Sequence, residues 1–217
     1  MRTILISTFV AAILPTMAAI AAPIPTLFDT GVDAAGNPLP NGSLDTHYTL
    51  TTVPSGTAQL AVHTSAGGYP VGPWIGDDSL SAWIGPKNDP QLDGPVGYYD
   101  YETTFTLNGF DPATVSITGQ WSADNEGINI LINGVATGQT TNGGETAFNG
   151  FTPFTISSGF VPGVNTIDFI VNNDGGPTGL RVEMTGAASL ASIIPEPSSL
   201  AAFATGLVAL MMMWWRD

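Results

Sequence analysis

Cysteine is absent from this 217-residue chain, and cations are nearly so: Lys and Arg number 4 against 18 Asp and Glu, a formal net charge of −14. Without cysteine there is no disulfide, no thiolate nucleophile and no cysteinyl metal site. Arg2 and Arg216 stand at the two ends, which leaves Lys87 and Arg181 as the cations of the body. A body this acidic repels nucleic acid and anionic lipid headgroups. Histidine is scarce as well, with only His47 and His63. Neither belongs to a Gly-x-Ser-x-Gly elbow or a His-Glu-x-x-His helix, so the sequence carries no recognisable serine triad or zincin motif. Helical periodicity and internal repeats are also missing from the body.

Apolar runs stand at the ends. Met1-Arg2-Thr3 precedes an apolar stretch from Ile4 to Leu14, and small residues follow to Ala22. Charge, length and the Ala19-Ile20-Ala21 pattern predict a signal peptide over 1–21, cleaved after Ala21. The alternative is an uncleaved anchor. At the other end, Pro195-Glu196-Pro197 is followed by Ser198, Ser199 and an uncharged run from Leu200 to Trp215. The prolines disfavour helix before them and the serines cap one after them. As a helix the run is about 24 Å long, against roughly 30 Å of hydrocarbon. With Ser198, Ser199 and the interfacial Trp214 and Trp215 it is expected to span a bilayer. A soluble C-terminal helix is the alternative, but a polar stripe is missing.

This order of parts resembles the PEP-CTERM sorting signal of Gram-negative surface proteins. In that family Pro-Glu-Pro precedes one transmembrane helix and a basic tail. The resemblance implies processing by an exosortase, with Pro195, Glu196 and Pro197 as the sorting motif. The family usually closes in several basic residues, whereas here Arg216 is followed by Asp217, which weakens the positive-inside bias. The organisation expected is therefore a signal peptide at 1–21, a domain at 22–185, a linker at 186–194 and a sorting signal at 195–217. The product is expected to be exported, held in the inner membrane during sorting, then placed at the cell surface or outside it.

The chain holds 26 Gly and 17 Pro, and those of the body punctuate short apolar runs, a pattern of strands and turns. An edge strand is expected near Leu27-Phe28. Tyr48–Val53 reads as a strand, with Ala58–His63 as its partner. Residues 66–96 form a long irregular stretch carrying Tyr69, Trp74 and Trp83. Tyr99, Tyr101, Thr103, Phe105 and Leu107 then alternate with polar residues, and further strands follow over Val115–Ala123, Ile128–Ile132, Phe151–Ile156, Asn165–Asn172 and Leu180–Met184. Val135 starts a return strand after the Asn133-Gly134 hairpin signal. At least eight strands without intervening helices predict an all-β fold, an antiparallel β-sandwich of jelly-roll type. It would be flanked by the two terminal helices.

The order also resembles galactose-binding-like sandwiches. The likeness rests on three pieces: Tyr99-Asp100-Tyr101-Glu102-Thr103-Thr104-Phe105, the stretch from Trp121 to Gly134, and Phe160 to Phe169 with Asn172. These motifs are structural and imply fold, not ligand.

Candidate chemistry is of three kinds. Asp100 and Glu102 share one strand face at a spacing that suits glycoside hydrolysis, but Tyr99 and Tyr101 point to the opposite face. A solvated polar face is the alternative. Calcium takes six to eight oxygens; of cofactors it alone suits the acidic turns, with Asp124 as the candidate ligand and an Asx-turn as its other use. Sugar binding uses exposed aromatics beside carboxylates, and Trp74, Trp83 and Tyr98, with Tyr69, Asp77 and Asp78, are the candidates. Otherwise Trp74 and Trp83 plug the end of the sandwich. Arg181 is expected to pair with Asp174 or Glu183, or to hold an anionic sugar. The expected function is a non-catalytic surface or matrix module contacting polysaccharide. The other readings are a small glycan-active hydrolase and a purely structural surface protein.

Overall fold

The computed structural model describes residues 20–89 and 94–191. Residues 1–19 of the expected signal peptide, the Pro-Glu-Pro motif and the terminal apolar run lie outside the described residues. Among those that are described, no helix is long and apolar enough to cross a membrane.

The alternation read from the sequence becomes two packed antiparallel sheets. The strands are β1 (Ala21–Pro23), β2 (Tyr48–Thr52), β3 (Val62–His63), β4 (Ile84–Gly85), β5 (Gly97–Thr106) and β6 (Ser116–Asp124), followed by β7 (Glu126–Ile132), β8 (Val135–Ala136), β9 (Thr152–Ile156), β10 (Val164–Asn173) and β11 (Gly179–Ser189). One sheet runs β3-β4-β11-β6-β9, with β1 also on β11; the other runs β2-β5-β10-β7-β8. From β5 onward the chain crosses repeatedly between the sheets, as a jelly roll does.

Period-2 patterning decides what is buried. Tyr99, Tyr101 and Phe105 of β5, and Ile167, Phe169 and Val171 of β10, face Ile117, Trp121 and Ala123 of β6 and Leu180, Val182 and Met184 of β11 in one core. Trp121 is fully buried at its centre, with Phe169 at 5.7 Å between ring centroids.

Several local expectations change. Residues Ala58–His63 do not pair with β2; only Val62–His63 is extended, and it pairs with β4 in the opposite sheet. Leu60 is half exposed, so the segment lacks the inward row that a partner of β2 needs. The edge strand expected near Leu27-Phe28 is replaced by β1, which pairs with β11 from Ala21↔Ser189 to Pro23↔Ala187. The alternation of Ile128, Ile130 and Ile132 breaks at its first member. Ile170 pairs with Asn129 and Val171 with Gly127, so Ile128 falls in a bulge. Gly127 takes the inward place because a Cβ there would lie 2.5 Å from the Trp121 ring.

Candidate functional site

Two regions hold the candidate residues. The first is the irregular stretch after β3. Trp74 and Trp83 lie 4.3 Å apart between centroids, and Tyr69 meets Trp74 edge-on at 5.0 Å. All three are buried, Trp83 completely. Their polar handles are used inside: Trp74 Nε1 donates to Asp124 Oδ2 at 2.7 Å, and Trp83 Nε1 to the Ile75 carbonyl at 2.8 Å. Of the two uses open to Trp74 and Trp83, the structure adopts the plug; the stacking surface expected of them is turned inward. Burying these rings is worth more than exposing them, at about 25 cal/mol per Å² of apolar area.

Asp77 and Asp78 are engaged as well. Asp77 Oδ1 accepts the Trp83 N–H at 2.9 Å, and its Oδ2 lies 3.3 Å from His63 Nε2. His63 Nδ1 lies 3.0 Å from the Leu39 carbonyl. The hydrogen bond to Asp77 is the main reason the His63 pKa is raised. Asp78 Oδ1 caps the Leu80 and Ser81 N–H groups, while its Oδ2 is 3.0 Å from Arg181 Nη2.

Arg181 is 1% exposed. It donates to Ser81 Oγ at 2.8 Å, to the Gly76 carbonyl and to Glu183 Oε1 at 3.3 Å, with its guanidinium 4.9 Å from the Phe151 ring centroid. Of its expected partners it takes Glu183 and not Asp174, and it adds Asp78. Nearby, burial, together with Glu183 and Asp78, pushes Asp29 up to about 6 against the Met184 N–H bond.

Asp124 is nearly buried at the end of β6. Its Oδ2 faces Trp74, and burial pushes its pKa up to about 7, partly countered by that bond. Among the described residues, no group of three His, Asp or Glu gathers to hold a metal ion.

The second region is the outer face of the five-stranded sheet. The strand register arranges it in rungs. Tyr98, Asn172 and Glu126 lie side by side across β5, β10 and β7; the next rung is Asp100, Ile170 and Asn129, and the next Glu102, Asp168 and Leu131. Tyr98 is 58% exposed. Asp100 and Glu102 share this face as expected, whereas Tyr99 and Tyr101 are buried on the other. Asp168 carries no motif of its own in the sequence. Alternation alone placed it outward, but only the pairing of β5 with β10 sets it opposite Glu102.

Three carboxyl groups on adjacent strands cannot all ionise freely. Asp168, 6% exposed, is pushed up to about 7, first by burial and then by Asp100 and Glu102, with a hydrogen bond to Glu102. Asp100 is raised by burial too, partly offset by a hydrogen bond with Thr51. A raised carboxyl binds its proton more tightly folded than unfolded. Its contribution is therefore present below the unfolded value near 3.8 and lost as pH rises toward 7. Asp168→Asn keeps a donor for Glu102 and removes the titration. It is expected to flatten the fall in melting temperature between pH 4 and pH 8 and to raise stability at pH 8, read by thermal denaturation across that range.

The chain matches no protein-family model and no curated protein sequence. Among solved structures it is similar to a CBM35 from Paenibacillus barcinonensis, at 16% identity and a TM-score of 0.36, over 66% of this chain and 98% of that one. A family 35 carbohydrate binding module from Clostridium thermocellum aligns at 13% identity and a TM-score of 0.34, over 79% and 99%. The CBM36-1 domain of a multidomain xylanase from the hindgut metagenome of Trinervitermes trinervoides aligns at 17% identity and 0.28, over 46% and 76%.

Proposed function

We propose that this is an exported surface protein whose non-catalytic sandwich binds carbohydrate on the outer face of the five-stranded sheet. The observation that carries this is Tyr98: an exposed ring in line with the amide of Asn172 and the carboxylate of Glu126. A pyranose offers an apolar C–H face to an aromatic ring and hydroxyls to amides and carboxylates. Asp100 and Asn129 on the next rung extend the same polar surface.

Tyr98→Ala is expected to weaken retention on the best polysaccharide about tenfold, since a central aromatic anchor contributes roughly 1–2 kcal/mol. Affinity electrophoresis against a panel of soluble polysaccharides, run with and without calcium, reads this. The calcium arm tests Asp124 as a ligand. No retention under either condition sinks the reading. Release of reducing ends by the wild-type protein would instead move Asp100 and Glu102 to the hydrolase reading.

Export and sorting follow from the signal sequence and from Pro195, Glu196 and Pro197, with an exosortase as processing partner and the apolar run as membrane contact. Intact mass of the mature protein tests this. A mass ending near residues 195–197 means cleavage, an added increment means attachment, and an intact C-terminus means neither.

A further inference from the structure

At the end of β5 remote from Tyr98, a surface cavity of about 320 Å³ opens beside the junction of β5 and β10. Its lining includes Phe28, His47, Thr26, Thr46, Thr104 and Thr106. Along a strand rising about 3.3 Å per residue, position 106 lies roughly 26 Å from position 98. This cavity is therefore separate from the Tyr98 rungs.

Its histidine is held from behind. His47 Nδ1 is 3.1 Å from the Val32 carbonyl and 3.4 Å from Asp45 Oδ1. Both are acceptors, so Nδ1 carries a proton. Asp45 is completely buried and cannot swing: its Oδ2 accepts the Gly31 N–H at 2.7 Å and its Oδ1 the His47 N–H at 2.9 Å. The ring is also clamped in plane, stacked on Phe28 at 3.8 Å and 18°. Phe28 in turn is fixed through its carbonyl, which accepts the buried Tyr48 hydroxyl at 2.8 Å. A carboxylate behind one imidazole nitrogen sets the tautomer and makes the other the better acceptor. That other nitrogen, Nε2, has no hydrogen-bond partner among the described residues. In the same lining, Thr26 Oγ1 already accepts the Thr106 N–H at 2.9 Å, so its own proton is left to donate.

The cavity thus combines an imidazole with an unpaired Nε2, a hydroxyl donor and an apolar wall. A metal ion lacks ligands here, since among the described residues no three ligating groups gather and both Asp45 oxygens are occupied. An anion would meet the Asp45 carboxyl behind the ring, with no arginine or lysine among the described residues of the lining. A neutral polyhydroxylated ring fits all three features, and pockets near this volume enclose small ligands.

We infer that the His47 cavity is a second carbohydrate subsite, binding one neutral sugar residue through a hydroxyl donated to His47 Nε2. The inference rests on the carbohydrate reading for its ligand class alone; the geometry is its own.

The test is a long-range ¹H–¹⁵N spectrum of the full-length labelled protein, titrated with glucose, galactose, xylose and their methyl glycosides. With two histidines in the chain, His47→Phe assigns the signals while preserving the stack. The free protein is expected to show His47 as the Nδ1–H tautomer. At least one sugar should shift its Nε2 resonance, and His47→Phe should weaken that sugar about five- to tenfold, the worth of one neutral hydrogen bond. Tyr98→Ala should leave the His47 shift intact. An Nε2–H tautomer, a silent His47 with every sugar, or unchanged affinity in His47→Phe overturns the inference. If His47 is silent while Tyr98-dependent polysaccharide retention persists, this inference falls alone. If both fail, the carbohydrate reading falls with it.

Discussion

Arg181→Ala is expected to remove about 3–5 kcal/mol of folding stability, the range for breaking a buried charge pair by deleting one partner. The guanidinium is 1% exposed and ties β11 to the 76–81 segment through Gly76, Asp78 and Ser81. Without it, Glu183 keeps, among the described residues, its bonds from Ser81 and Gln120, and Asp78 loses the Arg181 cation. Asp29 already holds its proton to about 6, in part because these two carboxylates lie near it. Removing the cation takes from Asp78 one of the causes that hold its pKa down, and leaves Asp29 beside uncompensated carboxylates that raise it further. Raised carboxyls lose their stabilising contribution as pH climbs through the folded value. The deficit should therefore be larger at pH 8 than at pH 5. Denaturant unfolding at the two pH values measures both parts of this. Arg181→Lys, which keeps the charge but not the planar fork, should fall between wild type and alanine. A loss under about 1 kcal/mol in Arg181→Ala at pH 8 would mean that the hub is not what holds the segment.

Trp83→Ala is expected to cost a similar amount, about 3–5 kcal/mol for a large aromatic removed from a packed site. Trp83 is fully buried against Trp74, and its indole N–H would leave the Ile75 carbonyl unpaired. Tyr98→Ala, on an exposed face, should stay within about 0.5 kcal/mol of wild type in stability. The two variants thus exchange signatures: one unfolds early, the other folds normally and loses ligand. Urea midpoints set beside polysaccharide retention separate them. A folded Trp83→Ala of normal stability that failed to bind would restore the loop aromatics as the binding surface.

What could be read from the sequence followed the range of the forces involved. Alternation along β5, β10 and β11 is a local signal, and it gave inward Tyr99, Tyr101, Ile167, Phe169, Leu180 and Val182 correctly. It misplaced Ile128 because a bulge depends on what lies across the core, here the Trp121 ring above Gly127. It misassigned Ala58–His63 because strand pairing is a choice among partners distant in sequence. Asp100 and Glu102 were visible as a pair; Asp168 became their neighbour only through the β5–β10 register. The aromatics after β3 looked like a platform because composition does not say which way a ring faces in an irregular segment. His47 gave no signal at all, since Asp45 two residues earlier and Phe28 far upstream meet it only in the fold.

β1 lies against the last residues of β11, Ala21 opposite Ser189, so the two ends of the described chain leave the sandwich at one corner. Tyr98 and Asn172 sit at the far end of their strands, near the turn that joins β6 to β7. A protein tethered through its C-terminal tail would hold that corner toward the membrane and present the Tyr98 end outward. Tension on the tether would pass into β11, which is hydrogen-bonded to β6 from Gly179 to Ala187. A pull along that strand loads the ladder in shear, with many bonds resisting together rather than opening one after another. If the Tyr98 face holds a polymer as proposed, β11 would also be the strand that bears its drag.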